Sequence, residues 1–219
     1  VYADGLDHFY IVRANKGEEG GNSTMGAKVH LSFTKPSPPL TDINWLSLPY
    51  KSIYKKASDI ANELTKDKIR TVGKWNPATQ RAITWTYVKG RWTGTDFLIA
   101  PGEGVFVAGI QVDFSWVING TDSAITLNFV YYSKHKKNIN WISIPYTGIY
   151  NSASSMVIDI EGSLFTSTKI IEVGRWNPAT QKSEKFYWDG LQWSGIDFVI
   201  EPGDGIYIQI LKNFSWPII

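Results

Sequence analysis

The chain has 219 residues, 43% of them hydrophobic and a high 14% aromatic, and its formal charge is only +2. That mixed-sign, near-neutral balance argues against the basic stripe of a nucleic-acid binder, and the absence of cysteine excludes disulfides, thiolate nucleophiles and cysteine-based metal sites. No apolar run approaches the ~20 residues needed to span a bilayer, so no membrane insertion is expected, while the length allows two domains of roughly 100 residues, each with its own core.

Taken in order, His8 to Ala14 has strand character, Asn15 to Ser23 is a polar, Gly-rich loop, and Lys28-Val29-His30-Leu31-Ser32-Phe33 alternates as a second strand. The pair predicts a hairpin over residues 1–35. The chain opens at Val1 without a signal-like segment, which suggests a piece cut from something longer. Pro36-Ser37-Pro38-Pro39 then predicts a stiff, extended connection, because each proline fixes φ and disfavours helix before it.

From there the chain is written twice. Asn44-Trp45-Leu46-Ser47-Leu48-Pro49-Tyr50 returns 96 positions later as Asn140-Trp141-Ile142-Ser143-Ile144-Pro145-Tyr146. Period-two alternation places Trp45 and Ser47 on one face of a strand and Leu46 and Leu48 on the other. A short helix is predicted next in each copy. Ser58 is the expected N-cap before Ile60, Ala61 and Leu64, and Ser154 the N-cap before Met156, Val157 and Ile160, with Gly162 as the stop. Five extra residues then enter the second copy, because the offset has grown to 101 at the next landmark. Such an insertion marks a surface loop.

The landmark is Trp75-Asn76-Pro77-Ala78-Thr79-Gln80, repeated letter for letter as Trp176-Asn177-Pro178-Ala179-Thr180-Gln181. Asn then Pro is the chemistry of a type I turn between two strands. Further strands follow, with Lys89-Gly90 and Asp189-Gly190 at hairpin turns. Asp96-Phe97-Leu98-Ile99 and Asp197-Phe198-Val199-Ile200 come next, and then Pro101-Gly102-Glu103-Gly104 and Pro202-Gly203-Asp204-Gly205. Pro-Gly is the centre of a type II turn. The expected fold class is mainly β: two tandem antiparallel β modules, sandwich- or barrel-like, each with one short α-helix, plus the N-terminal hairpin. The boundaries read as 1–35, 36–121 and 122–219.

Two resemblances follow from these residues. The Tyr10-Ile11-Val12-Arg13-Ala14 strand with its Gly/Glu/Asn loop resembles the last two strands of a fibronectin type III domain, which implies an upstream module; otherwise the hairpin belongs to the first repeat. The order Trp-Leu-Ser-Leu-Pro, short helix, Trp-Asn-x-x-Thr-Gln, Asp-Phe-x-Ile-x-Pro-Gly-x-Gly resembles a repeat of large prokaryotic surface and secreted proteins. That resemblance implies an extracellular location and neighbouring domains of the same polypeptide. Phe106 replaces the tyrosine of that pattern in the first copy.

Three kinds of chemistry are open. Trp75, Trp92, Trp176 and Trp193 flank turns, where exposure is expected and an indole face can stack on a sugar ring; the plainer alternative is core packing of a small β module. Asp96 and Asp197, with Glu103 and Asp204, can serve as ligand-binding carboxylates or an acid/base pair, or simply bond nearby backbone N–H groups. His8, His30 and His135 have no counterparts in the other copy and form no zinc or triad spacing. No cofactor or metal is expected. The favoured reading is a non-catalytic structural or adhesive module of a secreted or cell-surface protein. The alternative is a carbohydrate-binding accessory module with a polysaccharide partner, and the third is a glycan hydrolase using a carboxylate pair.

Overall fold

A computed structural model describes residues 26–35, 42–146 and 149–218. The strand expected at His8 to Ala14, His8 itself and the proline-rich connection fall outside those residues. In the first half, β1 (Gly26–Phe33), β2 (Asn44–Leu46), α1 (Ala57–Lys68), β3 (Thr71–Asn76), β4 (Arg81–Val88), β5 (Arg91–Gly94), β6 (Val105–Ala108) and β7 (Phe114–Thr121) follow one another. The second half repeats the series as β8 (Ile125–Phe129), β9 (Ile139–Ile142), α2 (Ala153–Glu161), β10 (Ile170–Asn177), β11 (Lys182–Trp188), β12 (Trp193–Gly195), β13 (Ile206–Ile210) and β14 (Phe214–Ile218).

Each half builds a five-stranded antiparallel sheet, ordered β2-β6-β3-β4-β5 or β9-β13-β10-β11-β12, and a two-stranded ribbon, β1-β7 or β8-β14. The mainly β class with one helix per module therefore holds, and neither sheet closes into a barrel. β1 pairs with β7 from Gly26–Thr121 to Phe33–Phe114, so the strand expected to end an N-terminal hairpin completes the ribbon of the first module.

One face of each sheet meets its helix and ribbon to make a core. In the first module Leu46, Val72, Val105 and Val107 of the sheet pack with Ile60, Ala61 and Leu64 of α1 and with Val29, Trp116 and Ile118 of the ribbon. The second core repeats this with Ile142, Val173, Ile206, Met156, Ile160 and Trp216. The helices begin slightly before the serines expected to cap them. Lys56 and Ser152 hold the N-cap positions, while Gly162 ends α2 in the left-handed conformation as its sequence predicts.

Among the described residues, each core also takes in one residue from the other module. Tyr50, of the first module, is 3% exposed inside the second core, and Tyr146, of the second, is 4% exposed inside the first. Burying an aromatic ring stabilises by about 1.5–3 kcal/mol. Each half therefore draws part of its core energy from the other.

Candidate functional site at the module seam

The sheet face opposite the core is where the two modules meet. Trp45 lies across from Phe106 on the neighbouring strand, and its indole stacks on Trp141 of the other module at 3.7 Å between centroids and 5° between planes. Phe106 leans on Trp45 at 4.7 Å and Tyr207 on Trp141 at 4.9 Å. Four aromatic rings thus run in a row through the seam. The tip of each end ring takes the space a side chain would need at a glycine: a Cβ on Gly73 would fall 2.0 Å from Phe106, and one on Gly174 would fall 2.2 Å from Tyr207. Tilted pairs such as the two at the ends of the row add about 0.5–1.5 kcal/mol beyond their buried area.

The repeated six residues provide the clasp. Asn76 folds the turn by accepting from Ala78 N and Thr79 N through its side-chain oxygen, which leaves the two ends of the motif to reach outward. Trp75 donates its indole N–H to Ile139 O at 2.9 Å, and Trp176 donates to Ile43 O at 2.6 Å. The amide of Gln80 donates to Ile139 O and accepts from Ile139 N, and Gln181 does the same with Ile43. A glutamine side chain so placed copies the two hydrogen bonds of a β-bridge. Both glutamines are held at positive φ, 56° and 52°, a conformation that costs a non-glycine residue about 1–2 kcal/mol, and two inter-module bonds apiece offset it.

Deeper in, two buried serines exchange roles. Ser47 Oγ accepts from Ile144 N and donates to Asp204 O, while Ser143 Oγ accepts from Leu48 N and donates to Glu103 O. Tyr50 donates its hydroxyl to Ser143 O and Tyr146 donates to Ser47 O. Desolvation by burial pushes both phenols well above their ordinary range, with the nearby Asp122 charge adding to the effect. Asp122 lies in the connection between the modules and receives Tyr50 N on one carboxylate oxygen and Tyr146 N on the other. Its carboxylate thus bonds to both halves at once. Backbone bonds complete the seam, from Ser47 N to Gly203 O and from Ser143 N to Gly102 O. The second glycine of each Pro-Gly-x-Gly lets the chains come that close: a Cβ on Gly104 would lie 3.0 Å from Ile142 N, and one on Gly205 would lie 2.3 Å from Trp45 Cβ.

Of the tryptophans and carboxylates singled out in the sequence, Trp75 and Trp176 join the seam through their side chains, and Glu103 and Asp204 join it through their backbone oxygens. Trp92 is half-buried beside Tyr87 against its own core. Trp193, although next to a turn, is only 8% exposed; it stacks on Phe186 and donates to Thr166 O. Asp96 and Asp197 bind the first turns of the two helices, accepting from the backbone N and the hydroxyl of Ser58 and of Ser154. Their charge also favours that end of the helix dipole. Both serines lie within the first helical turn, two residues past the N-cap. Glu103 is held by Lys74 at 2.8 Å and by Ala100 N. Asp204 is held by Arg175 and by Glu201 N, and burial raises its carboxyl above the ordinary range against the lowering pull of those bonds. No group of three or more metal-ligating side chains occurs among the described residues.

Sequence reasoning passed over Ser47, Ser143, Gln80, Gln181 and Asp122, whose roles arise only when the two copies face each other. The signal at the serines was nonetheless present: a small polar residue alternating with buried leucines must find a partner. At the Phe106 position the structure supplies a reason for the difference between copies. Tyr207 donates its hydroxyl to Glu172, whereas the residue matching Glu172 in the first module is Thr71, which bonds Thr86 instead.

Beside the stack, the seam opens into a groove on each side. One, of about 310 Å³, runs between Trp75, Glu103, Asn128, Asn140 and Trp141. Its counterpart, of about 90 Å³, runs between Trp176, Asp204, Ser32, Asn44 and Trp45. No protein-family model matches the chain, and neither a curated protein nor a solved structure matches it significantly.

Proposed function

We propose that the chain is a non-catalytic structural or adhesive module of a larger secreted or cell-surface protein, in which two repeats act as one stiff unit. One observation carries the reading: the side chains repeated letter for letter, Trp75 and Gln80 with Trp176 and Gln181, are spent on joining the copies. An extracellular, prokaryotic setting with neighbouring domains of the same polypeptide rests on the resemblances of the repeat and of the N-terminal segment. Among the described residues no helix is long and apolar enough to cross a membrane.

The carboxylates considered for hydrolysis already have other work. Asp96 anchors a helix and Glu103 an ion pair, so both carboxylates are already engaged within the fold. The purified chain is expected to release no product from panels of glycans and peptides. Sustained turnover that follows the folded protein through size-exclusion would overturn the proposal. A stiff unit is also expected to unfold in one calorimetric transition, with van't Hoff and calorimetric enthalpies equal.

A further inference from the structure

The larger seam groove has the makings of a binding site, and its smaller counterpart shows why only one of the two does. At about 310 Å³ the larger reaches the lower end of the roughly 300–1,000 Å³ range of small-molecule sites. At about 90 Å³ the other does not. Among the described residues no ring stacks on Trp75, while Trp141 is already sandwiched between Trp45 and Tyr207. Trp75 therefore supplies the aromatic wall, fixed in place by its bond to Ile139 O.

Polar groups line the other side. Asn128 is exposed on β8, and only its side-chain oxygen is engaged, by Ser215 Oγ; its amide nitrogen has no partner among the described residues. Thr126 lies two positions earlier on the same face of that strand and is also exposed. The one carboxylate in the lining, Glu103, is neutralised by Lys74 at 2.8 Å. An ionic ligand would find no unpaired charge there, and a purely apolar one would strand the amide and the hydroxyl. A neutral, polyhydroxylated ring satisfies both demands. Its polarised C–H face lies against the negative face of an indole, while its hydroxyls take up the hydrogen bonds that the exposed Asn128 and Thr126 otherwise exchange with solvent.

We propose that this groove binds a neutral saccharide, with Trp75 as the stacking wall and Asn128 and Thr126 as hydroxyl partners. In the opposite groove Ser32 takes the place of Asn128, and the shorter side chain leaves that side without the amide donor. The proposal does not depend on the structural role given above. Turnover would defeat that reading and leave this one standing, whereas absence of binding would defeat this one alone.

The test is titration calorimetry of the intact chain with neutral oligosaccharides of glucose, xylose, mannose and N-acetylglucosamine, supported by affinity electrophoresis in gels holding the matching polysaccharides. At least one series is expected to bind. Asn128→Ala should weaken it about fivefold, the worth of one hydrogen bond near 1 kcal/mol. Thr126→Trp, which fills the groove, should abolish it, and Ser32→Ala should bind as the wild type does. Each variant is first shown to keep the wild-type melting temperature to within about 2 °C, the shift of a change below about 1 kcal/mol. No binding to any series, or full binding by Thr126→Trp, overturns the proposal.

Discussion

Replacing Ser143 by alanine isolates the polar part of the seam with almost no change of volume. Its hydroxyl is fully buried, 0% exposed, and makes two bonds across the modules, from Leu48 N at 2.9 Å and to Glu103 O at 2.8 Å. Alanine leaves the buried Leu48 N–H without an acceptor, and an orphaned buried donor costs about 1–3 kcal/mol. Losing the second bond adds about 0.5–1.5 kcal/mol, so the expected loss is roughly 2–4 kcal/mol. For a chain of this size that corresponds to a melting temperature lower by about 4–16 °C. Urea unfolding followed by tryptophan fluorescence should show a lower midpoint at unchanged slope, because the surface exposed on unfolding is the same. Ser115→Ala, at an exposed strand position, is the control and should stay within about 0.5 kcal/mol of wild type. If Ser143→Ala melts together with Ser115→Ala, the serine exchange does not hold the modules together. The double variant Ser47→Ala/Ser143→Ala should lose less than the sum of the singles, because both loosen one interface.

Asp122→Ala deprives Tyr50 N and Tyr146 N of their acceptor and should cost about 2–6 kcal/mol, at about 1–3 for each amide, read as a fall in melting temperature. Gly205→Ala and Gly104→Ala should differ sharply, since the added methyl meets Trp45 Cβ at 2.3 Å in the first and Ile142 N only at 3.0 Å in the second. Near-ultraviolet circular dichroism of the stacked tryptophans should collapse for Gly205→Ala and survive largely intact for Gly104→Ala. For pH dependence, Glu161 is the informative carboxylate. Desolvation raises its pKa, but backbone bonds from Ile170, Lys169 and Thr168 outweigh it and bring the folded value below the ordinary 4.5. A depressed folded value means that its contribution is complete above pH 4.5 and is lost as pH falls through the folded value. The stability advantage of wild type over Glu161→Gln, measured by urea midpoints, should therefore shrink as pH drops below 4.5; an advantage that grew on acidification would refute the assignment.

The elements were legible because they answer to local rules. Alternation through Trp45-Leu46-Ser47-Leu48 correctly divides a core face from another face, and Asn-Pro and Pro-Gly fix their turns. What the Trp45 face meets was not legible, because its partner is the same segment 96 residues later and nothing local announces such a pairing. Gly104 and Gly205 are outside the left-handed region, so their purpose is clearance, which shows only when both chains are in view. The helix starts were misplaced by two residues, and the bonds that hold Ser58 and Ser154 come from Asp96 and Asp197, about 40 residues downstream and beyond any local signal. Trp193 is the opposite case, a turn-flanking ring drawn inward by Thr166 in the loop that holds the second copy's extra residues.

The contacts of the seam come in reciprocal couples: Leu46 with Asp204 and Ile142 with Glu103, Trp75 with Ile139 and Trp176 with Ile43. A surface that recognises its own copy in this way is isologous and is used up once two copies have met. A third module appended to the chain would find no such face left unoccupied. Any longer array built on this seam grows by pairs, and its odd-numbered member would leave a tryptophan ladder half-built and open to solvent.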